Sequence, residues 1–183
     1  MRDFGTTDAT GHADIRVPHV TCDFAVSNGG AVSRLDDVQV FGDRNLSIGF
    51  GGTVPATLSL TLGAPAAFGA FTPGLAHDYF ASSSATVLST AGDATLSVAD
   101  PSATNAGHLV NGAFALPQAL QAKSGGGAYA PVGSAPLALK SWAAPTSNEP
   151  VPVDFKQSIA ANDPLRTGTY AKTLTFALST TSP

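Results

Sequence analysis

Apolar and polar residues alternate with a period of two along most of this chain. In the closing stretch the apolar side chains share one face with a lysine: Tyr170, Lys172, Leu174, Phe176 and Leu178. Successive side chains of a β-strand point to opposite faces, so the pattern predicts a half-buried strand. Because terminal segments fray unless they pair, we expect this strand to close a sheet.

The same alternation recurs upstream, most clearly in residues 54–62, 94–98 and 151–156. Shorter apolar runs occur in "VPHVTCDFAV", "DDVQVF", "NLSIGF", "SATVLST", "HLVNGAFAL" and "PLALKSW". Turn-forming residues separate about ten such segments at intervals of about 8–12 residues, which is typical of β-sandwiches and barrels. Two short stretches, "PQALQAK" and "QSIAANDPL", are the only helical candidates. We therefore predict an all-β fold, an immunoglobulin-like antiparallel β-sandwich with additional N-terminal strands.

Charged residues are unevenly distributed along the sequence. Residues 1–50 contain seven of the thirteen acidic residues and four of the nine Lys and Arg residues, whereas residues 51–183 are rich in Ala, Ser and Thr. We predict a β-sandwich module over residues 51–183. About 50 residues are marginal for an independent core, so we interpret residues 1–50 as an N-terminal extension or extra strands.

Composition excludes several classes of function. The net charge is −4 and no basic run occurs, which argues against a nucleic-acid partner. No apolar run reaches the roughly 18–20 residues needed to span a bilayer. Cys22 is the single cysteine, so no internal disulfide forms, and we expect it to be a small buried residue. The polar start "MRDFGTTDATGHAD" lacks the apolar region of a signal peptide.

Catalytic constellations are absent from the sequence. There is no G-x-S-x-G elbow, no zinc-ligand spacing and no assignable pair of acids, so we predict no enzyme activity, no metal and no cofactor. Asp100 lies in "SVADPSATNAGH", which lacks the spacing of a calcium loop. We interpret Asp100 as an Asp-Pro turn starter.

Two aromatic residues are candidate binding residues. Trp142, the one tryptophan, ends an apolar strand before a Pro-rich turn. Exposed there, it would stack on a sugar, whereas a buried indole would plug the core or an edge. Tyr129 lies in the Gly-rich stretch 122–136, which we predict to be a long flexible loop with Tyr129 as a contact residue.

Five sequence blocks resemble a module often found at the C-terminus of large secreted proteins of actinobacteria. They are "GTVPATLSLTLGAPAAFGAFTPG", "STAGDATLSVADPS", "GHLVNGAFALPQALQ", "SWAAPTSNEPVPVDFKQSI" and "LRTGTYAKTLTFALSTTSP". The resemblance covers residues 53–183, and the first block begins one residue earlier, at Gly52. More distantly, "GTYAKTLTFAL" is similar to the closing strand of WxL cell-wall-binding domains, with Phe176-Ala177-Leu178 in place of a W-x-L motif.

The resemblance implies a non-catalytic, extracellular structural or attachment module at the bacterial cell surface, with a cell-wall polymer or glycan as its partner. Two alternatives stay open. One is a self-assembling subunit of a surface filament or coat, in which copies of the chain meet through strand edges. The other is a hydrolase built on a sandwich scaffold.

Overall fold

A computed structural model describes residues 21–28, 31–39 and 51–181. The chain divides into two compact units, residues 1–53 and 54–183. Regular structure in the described residues consists of twelve β-strands and no helix, which confirms the predicted all-β fold. The two stretches proposed as helical contribute instead to strands β8 and β11, defined below.

The first unit contains an antiparallel hairpin. Strand β1 spans Thr21–Asn28 and pairs with β2, which spans Ala31–Gln39, in a two-stranded sheet. Cys22 is half-buried rather than fully buried, because a two-stranded ribbon covers only part of the side chains on its faces.

The second unit contains the other ten strands. They are β3 Leu58–Leu62, β4 His77–Ser89, β5 Ala94–Ala99, β6 Val110–Asn111, β7 Phe114–Ala115, β8 Gln121–Ser124, β9 Ala130–Pro131, β10 Leu137–Trp142, β11 Thr146–Ile159 and β12 Thr175–Ser179. Five form a sheet in the order β3-β4-β11-β8-β9, and three form a second sheet in the order β10-β5-β12. All named pairings are antiparallel, and β6 and β7 make a small separate ribbon.

The hydrophobic core lies between these two sheets, as expected for a β-sandwich. Alternate residues of the central strands point inward and are fully buried, among them Val87 of β4, Leu96 and Val98 of β5, and Val151 and Val153 of β11. Leu96 packs in one cluster with Val87 and Val151, so β5 faces β4 and β11 across the core. The alternate residues that the period-two pattern predicts to face inward are therefore buried in the structure.

The closing strand occupies an outer position of the three-stranded sheet. Strand β12 pairs with β5 so that Phe176 lies opposite Val98 and Leu178 opposite Leu96. Phe176 and Leu178 are half-buried and pack against the core. The predicted pairing of this terminal strand is confirmed over Thr175–Ser179, whereas Tyr170, Lys172 and Leu174, which the pattern placed on the same strand, precede β12.

Two local predictions were wrong. Residues 54–57 do not continue strand β3, because Pro55 has no N–H group and the N–H of Thr57 bonds to the Thr90 hydroxyl at 2.7 Å. Residues 122–136 are not one long loop. Asp154 of β11 pairs with Lys123 of β8, and the chain turns back at Gly125 to form β9.

A buried ion pair between Asp100 and Lys172 connects the loop that follows β5 to the segment before β12. The Nζ atom of Lys172 lies 3.0 Å from Oδ2 of Asp100, and the two side chains are 6% and 0% exposed. Asp100 also accepts hydrogen bonds from the N–H groups of Ser102, at 3.0 Å, and Gly107, at 2.5 Å. Lys172 further donates to the carbonyl of Asn105 at 2.9 Å. Asp100 thus starts the turn, as predicted, and in addition joins the loop to the segment before β12.

Candidate functional site

The outward face of the five-stranded sheet displays a large exposed aromatic ring. From residue 79 of β4 and residue 149 of β11 onward, the odd-numbered residues are buried or half-buried, so the even-numbered residues of these strands point away from the core. Phe80 of β4 is one of these and is 59% exposed. It lies directly opposite Lys156 of β11, which in turn lies opposite Gln121 of β8.

Tyr129 is brought to this face by the turn between β8 and β9. Its ring centroid lies 6.1 Å from that of Phe80, with the two planes tilted by 46°. The ammonium groups of Lys123 and Lys156 lie 5.0 Å and 5.5 Å from the centre of the tyrosine ring. Burial, followed by the negative charge of Asp154, raises the pKa of Tyr129 above its ordinary value of 10.0. We call Phe80, Lys123, Tyr129, Asp154 and Lys156 the Phe80–Tyr129 face.

Opposite charges alternate around the two rings. Lys123 lies 3.9 Å from a carboxylate oxygen of Asp154, and Lys156 lies 3.8 Å from one of Asp78. Both separations exceed a hydrogen bond, so the lysines keep N–H donors available for a ligand. The hydroxyl of Ser158 donates to Asp78 at 2.5 Å. Two lysines and two aspartates make this cluster neutral overall, which suits an uncharged or weakly charged ligand.

A shallow groove extends the face at the start of β4. It is lined by His77, Asp78 and Phe80 on one side and by Gln118, Ser158 and Ala160 on the other. Aromatic rings offer flat apolar surfaces, and the lysine, aspartate, serine and glutamine side chains beside them offer donors and acceptors. The groove therefore offers a ligand both apolar contacts and hydrogen-bonding groups.

Trp142 lies elsewhere, on the three-stranded sheet. The indole is half-buried and packs against the core cluster that contains Val87, Leu96 and Val151. Its N–H donates to Oε2 of Glu149 at 2.5 Å. The structure therefore does not bring Trp142 together with Tyr129, and places the indole at the edge of the core.

Glu149 organises the surroundings of that indole. It accepts hydrogen bonds from Lys140 and, at 2.8 Å, from the Thr146 hydroxyl. The Lys140 ammonium also lies 5.4 Å from the centre of the Trp142 ring. The contacts with Lys140, Thr146 and Trp142 lower the pKa of Glu149 to about 2.

This shift predicts a pH dependence that the single tryptophan reports. A lowered pKa means that Glu149 stabilises the fold above its ordinary pKa of 4.5, and that this contribution is lost as the pH falls toward 2. We expect Trp142 fluorescence to change with a midpoint near the lower value, and Glu149→Gln to remove the transition. A midpoint at the ordinary pKa in the native protein would contradict the hydrogen-bonded arrangement. The variant Asp163→Asn, at an aspartate outside these contacts, serves as the control.

Phe80, Lys123 and Lys156 were not predicted from the sequence. The segment "HDYFASSSATV" places two aromatic residues side by side, and the sequence analysis did not assign either of them to the outward face. Tyr79 points inward, where its ring packs edge-on against Phe71 at 4.9 Å, so Phe80 is left on the outer face. The outward run Ser82, Ser84 and Thr86 is the signal that identifies the solvent side.

The described residues contain no group of three or more His, Cys, Asp and Glu side chains arranged to hold a metal ion. In the same part of the chain, no helix is long and apolar enough to cross a membrane. Comparisons of the chain with protein-family models, with curated proteins and with solved structures give no match.

Proposed function

We propose that this protein is a non-catalytic, extracellular attachment module of the bacterial cell surface, and that its Phe80–Tyr129 face binds a cell-wall polymer or glycan. The observation that supports this most is the exposed ring of Phe80 beside Tyr129 on the outward face of the five-stranded sheet. A phenylalanine exposed to this extent among serines and threonines has no role in the core, whereas aromatic rings are enriched in binding surfaces. The distant similarity of "GTYAKTLTFAL" to the closing strand of WxL cell-wall-binding domains supports the same ligand class.

Lysine and aspartate side chains explain how the face would select a sugar chain over an apolar surface. Each lysine lies close enough to the tyrosine ring to hold it in place through its positive charge. The ammonium and carboxylate groups then remain at the rim, where they meet sugar hydroxyls. Binding would use existing side-chain positions, because Lys156 and Asp154 project from the long central strand β11.

Co-sedimentation with purified peptidoglycan tests this proposal. We expect the native chain in the pellet, and Phe80→Ala with Tyr129→Ala to weaken binding by at least about tenfold, which corresponds to about 1.4 kcal/mol. Phe114→Ala is the matched control, since Phe114 is another exposed phenylalanine, at 51%, that contacts Arg166 instead. Native protein that stays in the supernatant, or equal loss in the control, would refute attachment through this face. Release of soluble sugar fragments would instead favour the hydrolase alternative.

Self-assembly through strand edges is the second candidate function. It is favoured by the uncovered leucines of strand β3, at one edge of the five-stranded sheet.

A further inference from the structure

Strand β3 has an open edge of backbone hydrogen-bonding groups. Among the described strands it pairs with β4 alone. The carbonyl of Thr57 accepts from the Thr90 N–H at 2.9 Å, and the N–H of Gly63 donates to the Ser84 carbonyl at 2.8 Å. The backbone N–H and C=O groups of successive residues point to opposite sides of a strand. The backbone groups of the odd-numbered residues of β3 therefore bond to β4. The N–H and C=O groups of Leu58, Leu60 and Leu62 consequently point away from β4, toward the open edge.

The side chains at this edge are apolar and incompletely covered. Leu58 and Leu62 lie opposite the buried residues Ser89 and Ala85, so they belong to the inward face, yet they are 43% and 50% exposed. Leu60 between them is half-buried and packs on the core. Strand β12, which contacts β3, is the last strand of the three-stranded sheet, and no described strand pairs with β3 on the side away from β4.

The described segments that form this edge carry no charged side chain. Residues 51–76 contain no Asp, Glu, Lys or Arg, and neither do residues 173–181, which include β12. Natural sheets usually guard an exposed edge with a lysine, a proline within the strand or a bulge, and β3 has none of these. At the opposite edge, by contrast, β9 is two residues long and ends in Pro131.

The sequence of β3, "LSLTL", reads almost the same in both directions. Two antiparallel copies centred on Leu60 would therefore place Leu58 opposite Leu62 of the other copy, and Ser59 opposite Thr61. Each exposed leucine gains a leucine partner, and the outward-pointing backbone groups of all three leucines are satisfied. A two-fold interface requires such self-complementarity, and a surface without charge meets its own copy without repulsion.

We propose that two copies of this chain pair antiparallel along β3, with Leu60 on the two-fold axis, so that two five-stranded sheets become one continuous sheet. This inference deepens the self-assembly candidate and names its surface. It does not involve the Phe80–Tyr129 face, so loss of peptidoglycan binding and loss of pairing are separable results.

Paired charge substitutions test the register. In the proposed pairing, Leu58→Lys with Leu62→Glu sets opposite charges across the interface, whereas Leu58→Lys with Leu62→Lys sets like charges there. By sedimentation velocity we expect the native chain and the Lys/Glu variant at twice the chain mass of 18.3 kDa, and the Lys/Lys variant at the single mass. Leu75→Lys, at another exposed leucine (52%), should keep the double mass. A native chain that is monomeric at millimolar concentration, or equal masses for the two double variants, would overturn the proposal.

Cross-linking provides a second test that leaves the leucines intact. Ser59 and Thr61 are exposed, and Cys22→Ser removes the native thiol. A mixture of Ser59→Cys and Thr61→Cys chains should form a disulfide-linked dimer, because directly opposed Cα atoms would be about 4.5 Å apart. Each variant alone should form much less, since its cysteines would be about 7–8 Å apart on the diagonal. Equal cross-linking of the single variants and the mixture would contradict the register.

Discussion

Replacing Lys172 with methionine is expected to lower the free energy of unfolding by about 3–5 kcal/mol, because it leaves the Asp100 carboxylate buried without its cation. The pair is almost inaccessible to water, and Asp100 cannot move away while it holds the N–H groups of Ser102 and Gly107. Urea unfolding followed by circular dichroism measures the loss. Lys123→Met is the control, because its partner Asp154 is half-exposed and at 3.9 Å, and such pairs contribute at most about 1 kcal/mol.

The same carboxylate makes stability depend on acid. Burial alone would raise the pKa of Asp100, but the hydrogen bonds from Ser102, Gly107 and Lys172 outweigh it and hold the pKa well below the ordinary 3.8. A group with a lowered pKa contributes its stability above the ordinary value and loses it as the pH falls further. We expect Asp100→Asn to be less stable at neutral pH and to lose less stability on acidification. A native protein whose stability does not change below pH 3.8 would contradict the buried ion pair.

Replacing Gly107 with alanine is expected to destabilise the fold by about 4 kcal/mol or more, at the extreme of single substitutions. Gly107 has a φ angle of +78°, and an added Cβ would lie 1.9 Å from the carbonyl oxygen of Val132. The backbone cannot shift to relieve this clash, because the Gly107 N–H bonds to Asp100 and its carbonyl accepts from Leu120 at 2.7 Å. Thermal and urea unfolding should both show the loss.

Gly125→Ala separates the steric clash from the effect of backbone conformation. Gly125 also has a positive φ angle, +55°, but an added Cβ would meet no atom within 4 Å. We expect its alanine variant to lose about 1–2 kcal/mol, the cost of placing an L-residue in the left-handed region. If Gly107→Ala were no more damaging than Gly125→Ala, the tight approach of this loop to Val132 would be wrong.

The alternating pattern predicted the core because burial between two sheets repeats every second residue. It predicted the closing strand, and it placed Val87, Leu96 and Val151 on buried faces. The pattern also placed Lys172 on an apolar face, and the sequence alone did not explain a lysine at that position. The reason is Asp100, which is distant in sequence and adjacent in space.

Only part of the candidate binding face could be predicted from the sequence. Tyr129 was chosen because it lies in a Gly-rich stretch, but its neighbours depend on strand order. Phe80, Lys156 and Lys123 come from three different strands, and alternation within a strand does not say which strands are adjacent. The role of Trp142 stays a prediction, and its hydrogen bond to Glu149 could not be read from spacing because a bulge before Glu149 sets the register.

The exposure of strand β3 could not be predicted from the alternation of its residues. Its leucines alternate as regularly as those of a buried strand, yet two of the three are substantially exposed. The difference arises from position in the sheet, because β3 is an edge strand of the five-stranded sheet and pairs, among the described strands, with β4 alone.

Mapping of backbone amide resonances during titration with soluble peptidoglycan fragments tests the central claim most directly. Attachment through the Phe80–Tyr129 face predicts that the largest saturable shifts occur at Phe80, Lys123, Tyr129 and Lys156, and that β3 and the Trp142 region stay unchanged. Saturable shifts confined to β3 or to the surroundings of Trp142, or none at all, would contradict it.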